Sequence, residues 1–154
     1  MFENLAELHP IFVHFPIVLF LAYFIVECLN LYYKENIIDA INFIILIAGV
    51  LFSVVVVMTG NQAKAVALPL MNSKPAELKE ILDLHETAAT FSLWLFTGIF
   101  FLRYYLYSKR KLSMRWKIFI TIIAFIGIVT IFETGLLGGK LVYEYGVGTK
   151  FFTK

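Results

Sequence analysis

Three histidines carry the most specific chemistry in this sequence: His9, His14 and His85. An imidazole binds metal ions and haem iron, and it exchanges protons near neutral pH. Each of the three lies in or beside a long apolar run, where an ionisable side chain is costly and marks function by default. The leading hypothesis is therefore a haem b held by His14 and His85 as axial ligands, with His9 as a further candidate metal ligand.

Small side chains follow His85 at helical spacing, so that in a helix they lie beneath its imidazole: Ala88, Ala89 and Ser92. A flat macrocycle would fit into such a slot, and the three are candidate cofactor-binding residues. Small residues in membrane helices also serve close helix packing, and that interpretation stays open.

A glycine-dense, aromatic segment runs from Gly135 to Gly148. Glycine permits close approach of the backbone, so this segment could fold back as a lid over the histidines. Lys140 would then meet an anionic group of the cofactor, with Tyr143 beside it. The alternative is a flexible exit segment with Tyr143 in the aromatic belt of a membrane.

Two other classes of function stay open. His9, His14 and His85, helped by Glu86, could bind zinc, copper or iron for sensing or transport. Alternatively, the chain is a cofactor-free accessory or scaffold subunit whose histidines are interfacial anchors. Covalent c-type haem attachment is excluded, because the single cysteine, Cys28, is not part of a Cys-x-x-Cys-His motif.

The elements that must position these residues are transmembrane helices. Of the 154 residues, 60% are hydrophobic and only 16% are charged, which is too little polar surface for a water-soluble globule of this size. Four continuous apolar segments are long enough to span a bilayer as helices, at about 11–33, 37–58, 88–107 and 118–137. They predict an all-α, integral membrane four-helix bundle forming one domain over 1–154, with a loop at 60–87 and a tail at 138–154.

Basic residues determine the predicted topology. Five of them, with no acid, stand between the third and fourth segments, and such a cluster stays in the cytoplasm: Lys109, Arg110, Lys111, Arg115 and Lys117. Both termini and all three histidines are then on the outer side; in a bacterial inner membrane this would be the periplasmic side. Glu27 and Arg103 fall near the cytoplasmic ends of their helices, where a paired or snorkelling role is enough. No nucleic-acid footprint is visible.

The two halves of the chain share a weak internal repeat. His14 and His85 start the first and third segments and are 71 positions apart, and Thr-Gly pairs close the second and fourth segments at Thr59 and Thr134, 75 positions apart. Because the first and third segments enter from the same side, an axis along the membrane normal would relate the halves. This repeat would bring His14 and His85 face to face near the axis.

Several motifs resemble a widespread family of small bacterial membrane proteins of unknown function, and the resemblance spans essentially the whole chain. They comprise Leu8, His9, Pro10, Val13, His14, Phe15 and Pro16 near the start, the pair His85 and Glu86, and an ending of Gly138, Gly139, Lys140, Leu141, Val142, Tyr143, Gly146, Val147 and Gly148. Relatives include domains fused to c-type cytochrome modules, which implies an electron-transfer setting outside the membrane. We therefore expect membrane lipid, and a periplasmic cytochrome c or a larger membrane redox complex, as partners, with homo-oligomerisation left open.

Overall fold

A computed structural model of the chain describes residues 3–33, 36–69 and 76–147, which form five α-helices. The helices are α1 (Glu3–Phe12), α2 (His14–Tyr33), α3 (Asn36–Ala67), α4 (Ala76–Ser108) and α5 (Met114–Tyr143). Within these described ranges, four stretches are long and apolar enough to cross a membrane: Leu8–Tyr33, Asn36–Ala67, Ala76–Ser108 and Met114–Tyr143. The prediction of an all-α, four-helix membrane bundle is therefore confirmed.

A proline explains why the first span is divided into α1 and α2. Pro16 has no N–H to donate to the carbonyl of Phe12, and its ring crowds that carbonyl, so the helix is interrupted at Val13. The interruption places His9 on α1 and His14 on α2. The two histidines are thus carried by different helical segments.

At the end of the bundle that carries His9 and His85, the histidine end, the helices are longer than the predicted spans. α3 continues to Ala67 and α4 begins at Ala76, so most of the predicted loop at 60–87 is helical. Likewise, α5 continues to Tyr143, inside the predicted tail at 138–154. These extensions contain polar residues. The apolar runs did not include them, because the length of an apolar run reports only the part of a helix that lies in the hydrocarbon core.

The four spans form a ring around the bundle axis. α2 packs against α3 and α5, and α4 packs against the same two helices, so α2 and α4 face each other diagonally. α1 packs mainly against α3. The outward faces carry large exposed apolar side chains, such as Leu51, Phe101 and Phe132, as a surface in contact with lipid requires.

Buried positions recur in α2 and α4 at one constant offset. Every buried residue of α2 has a buried counterpart in α4 that lies 76 positions further along the chain. The pairs are Pro16 and Ser92, Phe20 and Phe96, Tyr23 and Ile99, Glu27 and Arg103, and Asn30 and Leu106. The inward face of α2 is therefore repeated in α4.

The inward face of α3 is repeated in α5 at an offset of 78 positions. Four buried residues of α3 have buried counterparts in α5 at this offset: Asn42 and Ile120, Leu46 and Ala124, Gly49 and Gly127, and Ser53 and Ile131. A pseudo-two-fold axis along the bundle therefore relates α2 and α3 to α4 and α5. The sequence comparison had given offsets of 71 and 75 instead, because it aligned His14 with His85.

Two stacked phenylalanines form the centre of the core. The ring centroids of Phe20 and Phe96 are 3.8 Å apart, with an interplanar angle of 8°. Each ring lies against a glycine of the neighbouring helix: a Cβ added to Gly49 would be 2.6 Å from Phe20, and one added to Gly127 would be 2.6 Å from Phe96. Because each ring has the other ring on its second side, neither can withdraw from a larger side chain.

Gly49→Ala and Gly127→Ala are therefore each expected to destabilise the protein by about 1–3 kcal/mol, the usual cost of overpacking a core. Gly98→Ala is the matched control, because a Cβ on Gly98 would meet nothing within 4 Å and alanine is the better helix former. Thermal unfolding in detergent measures the difference. Equal stability of the three variants would contradict the enclosed stack.

Candidate functional site

His9 lies half-buried on α1, which packs against α3. Its Nδ1 atom is 3.1 Å from the hydroxyl oxygen of Thr59. The ring lies over Gly60, where an added Cβ would be 2.9 Å from the imidazole Cε1 atom. The imidazole is thus positioned by a hydrogen bond and by a glycine that leaves room for the ring.

His85 is held in a similar way by the other half of the chain. It is half-buried on α4, and its Nδ1 atom is 3.0 Å from the backbone carbonyl oxygen of Thr134 on α5. A carbonyl only accepts, so Nδ1 carries the proton and donates it, and the lone pair remains on Nε2. A Cβ added to Gly138 would be 3.1 Å from the ring. Nε2 therefore has the lone pair that a metal ligand needs.

His9 and His85 occupy equivalent positions in the internal repeat. They are 76 positions apart, the offset between α2 and α4, and Gly60 and Gly138 are 78 positions apart, the offset between α3 and α5. The two imidazoles are also near enough to interact electrostatically. We call this group, with one imidazole from each half, the histidine layer: His9, Thr59, His85 and Thr134.

His14 lies apart from the histidine layer. It is the first residue of α2, and its side chain is exposed. In the part of the chain that the structure describes, no hydrogen bond or ion pair joins His14 to His85. Sequence reasoning placed the two opposite each other because it treated the first apolar run as one helix that starts near His14. The interruption at Val13 and the longer α1 bring His9 into that position instead.

The small residues below His85 lie towards the inside of the bundle. Ala88 and Ala89 are half-buried and Ser92 is buried. The Ser92 hydroxyl is 2.8 Å from the hydroxyl of Thr130 on α5 and 2.9 Å from the carbonyl oxygen of Ala88. Ser92 therefore joins α4 to α5, while the two alanines keep the space beneath His85 lined by small side chains.

Ion pairs surround the histidine end. The ammonium group of Lys140 is 3.5 Å from a carboxylate oxygen of Glu77 and 3.8 Å from one of Glu144. Glu86, which follows His85 in the chain, forms an ion pair with Lys64 of α3. Lys140, which was predicted to meet an anionic group of the cofactor, thus lies at this end and is paired with two acidic side chains.

The chain folds back after α5. Gly146 has a φ of 71°, in the left-handed region that favours glycine, and the N–H of Val147 donates to the carbonyl of Leu141 over 2.9 Å. Tyr143 is exposed, whereas Tyr145 and Val147 pack against a buried apolar cluster of Ala67, Leu78, Ile81, Leu82 and Leu141. The segment therefore covers this cluster at the histidine end, and the rest of the predicted tail, 148–154, lies outside the described residues.

A buried group of charged side chains lies at the other end of the bundle, which we call the basic end after the neighbouring loop. Arg103 forms an ion pair with Glu27 and, over 2.9 Å, with Asp39. Lys117 also pairs with Asp39, over 2.9 Å. Two buried amides complete what we call the charge network, whose members are Glu27, Asn30, Asp39, Asn42, Arg103 and Lys117.

The charges of the network are opposite at equivalent positions. Glu27 corresponds to Arg103 at the offset of 76, and Asp39 corresponds to Lys117 at the offset of 78. The first half of the chain supplies both acids and the second half supplies both bases. Every ion pair of the network therefore joins one half to the other, in a lipid environment where an unpaired charge is costly.

Sequence reasoning found only part of this network. It expected a paired or snorkelling role for Glu27 and Arg103, and the structure has the paired role. Lys117 was assigned to the cytoplasmic loop, but only 9% of its side chain is exposed and it reaches into the network. The signal that could have identified Lys117 is its position 78 residues after Asp39, at the start of an equivalent helix.

Within residues 3–33, 36–69 and 76–147, no group of three or more His, Cys, Asp or Glu side chains is placed to hold a metal ion. The fold, the histidine layer and the charge network define a four-helix membrane bundle made of two equivalent halves. The chain belongs to the family of predicted membrane proteins DUF2231, whose family model matches residues 6–151, and the resemblance inferred from the motifs is confirmed. No curated protein and no solved structure matches the chain.

Proposed function

We propose that this chain is a b-type cytochrome subunit that binds one haem at the histidine end, with His9 and His85 as axial ligands. The observation that carries the proposal is the histidine layer, in which equivalent imidazoles from the two halves have Nδ1 atoms 3.1 and 3.0 Å from an oxygen. Metal-ligating histidines usually donate their other ring N–H to an oxygen acceptor, which orients the ring and raises its basicity.

The donor set of the histidine layer fits a haem. Two imidazoles supply both axial positions of a haem iron, whereas a structural zinc takes four protein ligands. Gly60 and Gly138 leave the space that a Cβ would fill, so each ring can lie close to the backbone of its neighbouring helix. His9 replaces His14 as the proposed ligand on the first span, because His14 is exposed.

A bound haem would supply one-electron transfer. His9 and His85 would hold the iron through their Nε2 atoms, and the Thr59 hydroxyl and the Thr134 carbonyl would keep the imidazoles oriented. Ala88 and Ala89 provide a small-residue surface for the macrocycle. Lys140 and Tyr143 would lie at the rim of the site, where Lys140, now paired with Glu77 and Glu144, would offer a cation to an acidic group of the cofactor or of a partner.

The proposed location is the bacterial inner membrane, with the histidine end and both termini on the periplasmic side. Four exposed basic residues at the basic end support this orientation: Lys109, Arg110, Lys111 and Arg115. The haem would then exchange electrons on the periplasmic side, with a cytochrome c or within a larger membrane redox complex. The remaining surface of the bundle meets lipid.

The test is the cofactor content of the protein purified in detergent from cells that make haem. We expect about one haem per chain, removable by acid-acetone because no covalent attachment motif is present in the sequence. Elemental analysis of the same sample reports iron, copper and zinc. A colourless protein that contains zinc or copper would favour a non-haem metal site, and a protein without any of these would refute the proposal.

A further inference from the structure

Among the described residues, three buried oxygen atoms in or beside the charge network have no hydrogen-bond partner: the hydroxyl of Tyr23, Oε1 of Glu27 and Oδ1 of Asn42. All three side chains belong to residues with 0% exposure. Glu27 and Asn42 are in contact, since the amide of Asn42 donates to the other carboxylate oxygen of Glu27. Tyr23 lies about one turn before Glu27 on α2 and is close enough to interact with it electrostatically. Buried polar atoms that lack a partner are rare and costly, so this group needs a ligand.

We propose that Tyr23, Glu27 and Asn42 form a binding site for a buried water molecule. The Tyr23 hydroxyl donates its proton to the water oxygen. The two hydrogens of the water are donated to Oε1 of Glu27 and Oδ1 of Asn42. This assignment satisfies all three protein atoms and gives the water three hydrogen bonds, the usual number for a buried water.

The surrounding charges favour a neutral ligand. Arg103 acts electrostatically on the Tyr23 hydroxyl, and both Arg103 and Lys117 act electrostatically on Glu27. These two bases would repel a metal cation, and the Glu27 carboxylate would repel an anion. The two acids and two bases of the network already balance one another. A water molecule adds hydrogen bonds without adding charge.

The bound water extends the polar network towards the centre of the bundle. Tyr23 lies edge-on to Phe96, with ring centroids 6.2 Å apart and an interplanar angle of 85°. A continuous hydrogen-bonded path then leads from Tyr23 through the water, Glu27 and Arg103 to Asp39, which is partly exposed at the basic end. This inference uses the charge network alone and does not depend on the proposed haem.

Solid-state NMR of the protein in liposomes tests the site by transfer of magnetisation from water to ring carbons. Tyr and Phe rings are labelled with ¹³C, and Tyr23→Phe identifies the Tyr23 signal by its loss. We expect transfer to the Tyr23 Cζ atom to be several-fold faster than transfer to the ring of Phe96, which packs against Tyr23 at the same depth. Equal, slow transfer to both rings would overturn the proposal.

Asn42→Leu supplies the second arm, because it removes the Oδ1 acceptor and fills the site with an apolar side chain of similar size. Transfer to Tyr23 should then fall to the rate of Phe96, while the exposed Tyr105 and Tyr107 keep their rates. Fast transfer to Tyr23 that persists in this variant would also overturn the site. The comparison of Tyr23 with Phe96 in the unmodified protein remains decisive if the variant does not fold.

Discussion

Arg103→Leu should destabilise the bundle by about 3–5 kcal/mol, the range found when one partner of a buried ion pair is removed. Arg103 contacts both Glu27 and Asp39, and both carboxylates would be left in the interior. Lys117→Leu should cost less, because Asp39 keeps Arg103 and Asn30 as partners. Thermal unfolding in detergent and the yield of folded protein in membranes measure the difference.

An exchange of charges tests the symmetry of the network. Glu27→Arg alone places two like charges together and should be as damaging as Arg103→Leu. The fourfold exchange, Glu27→Arg with Arg103→Glu and Asp39→Lys with Lys117→Asp, only swaps the halves that supply acids and bases. It should recover a large part of the lost stability, because the paired positions are equivalent across the axis. A fourfold variant as unstable as Glu27→Arg would contradict that equivalence.

His9→Ala and His85→Ala should each abolish the sharp reduced spectrum of a bis-histidine haem, because each removes one axial ligand. His14→Ala is the matched control on the first span and should keep the spectrum, since His14 is exposed. The measurement is the reduced-minus-oxidised difference spectrum, normalised to protein and accompanied by haem content. Loss of the spectrum in His14→Ala with retention in His9→Ala would restore His14 as the ligand.

A glycine pair gives a finer test of the same site. Gly138→Ala puts a Cβ 3.1 Å from the His85 ring, whereas a Cβ on the adjacent Gly139 meets nothing within 4 Å. Gly138→Ala should therefore shift the haem spectrum or weaken haem retention, and Gly139→Ala should leave both unchanged. Indistinguishable spectra would show that the position of the His85 ring does not matter for the cofactor.

The four spans could be predicted from the sequence because membrane helices are long, apolar and continuous. The packing register could not, since it depends on which face of each helix turns inward. Phe20 and Phe96 look like any other apolar residues in their runs, and only their burial shows that they are equivalent. The helix is also interrupted at Val13 because of Pro16, and His9, not His14, lies beside Thr59.

The charge network was hard to predict for a different reason. Equivalent positions in a repeat are usually sought as identical residues, yet here Glu27 is matched by Arg103 and Asp39 by Lys117. A comparison of residue types therefore misses the strongest signal of the repeat. His85 was recognised as a candidate because an imidazole in an apolar segment is costly, and that argument needs no knowledge of the packing.

The measurement that most directly tests the proposed site is electron paramagnetic resonance of the oxidised, unmodified protein, combined with near-infrared magnetic circular dichroism to identify the axial ligands. The account predicts one low-spin ferric haem per chain with two imidazole ligands. The signal of this low-spin haem should disappear when either His9 or His85 is replaced by alanine. A protein without haem, or a haem with any other axial pair, would contradict it.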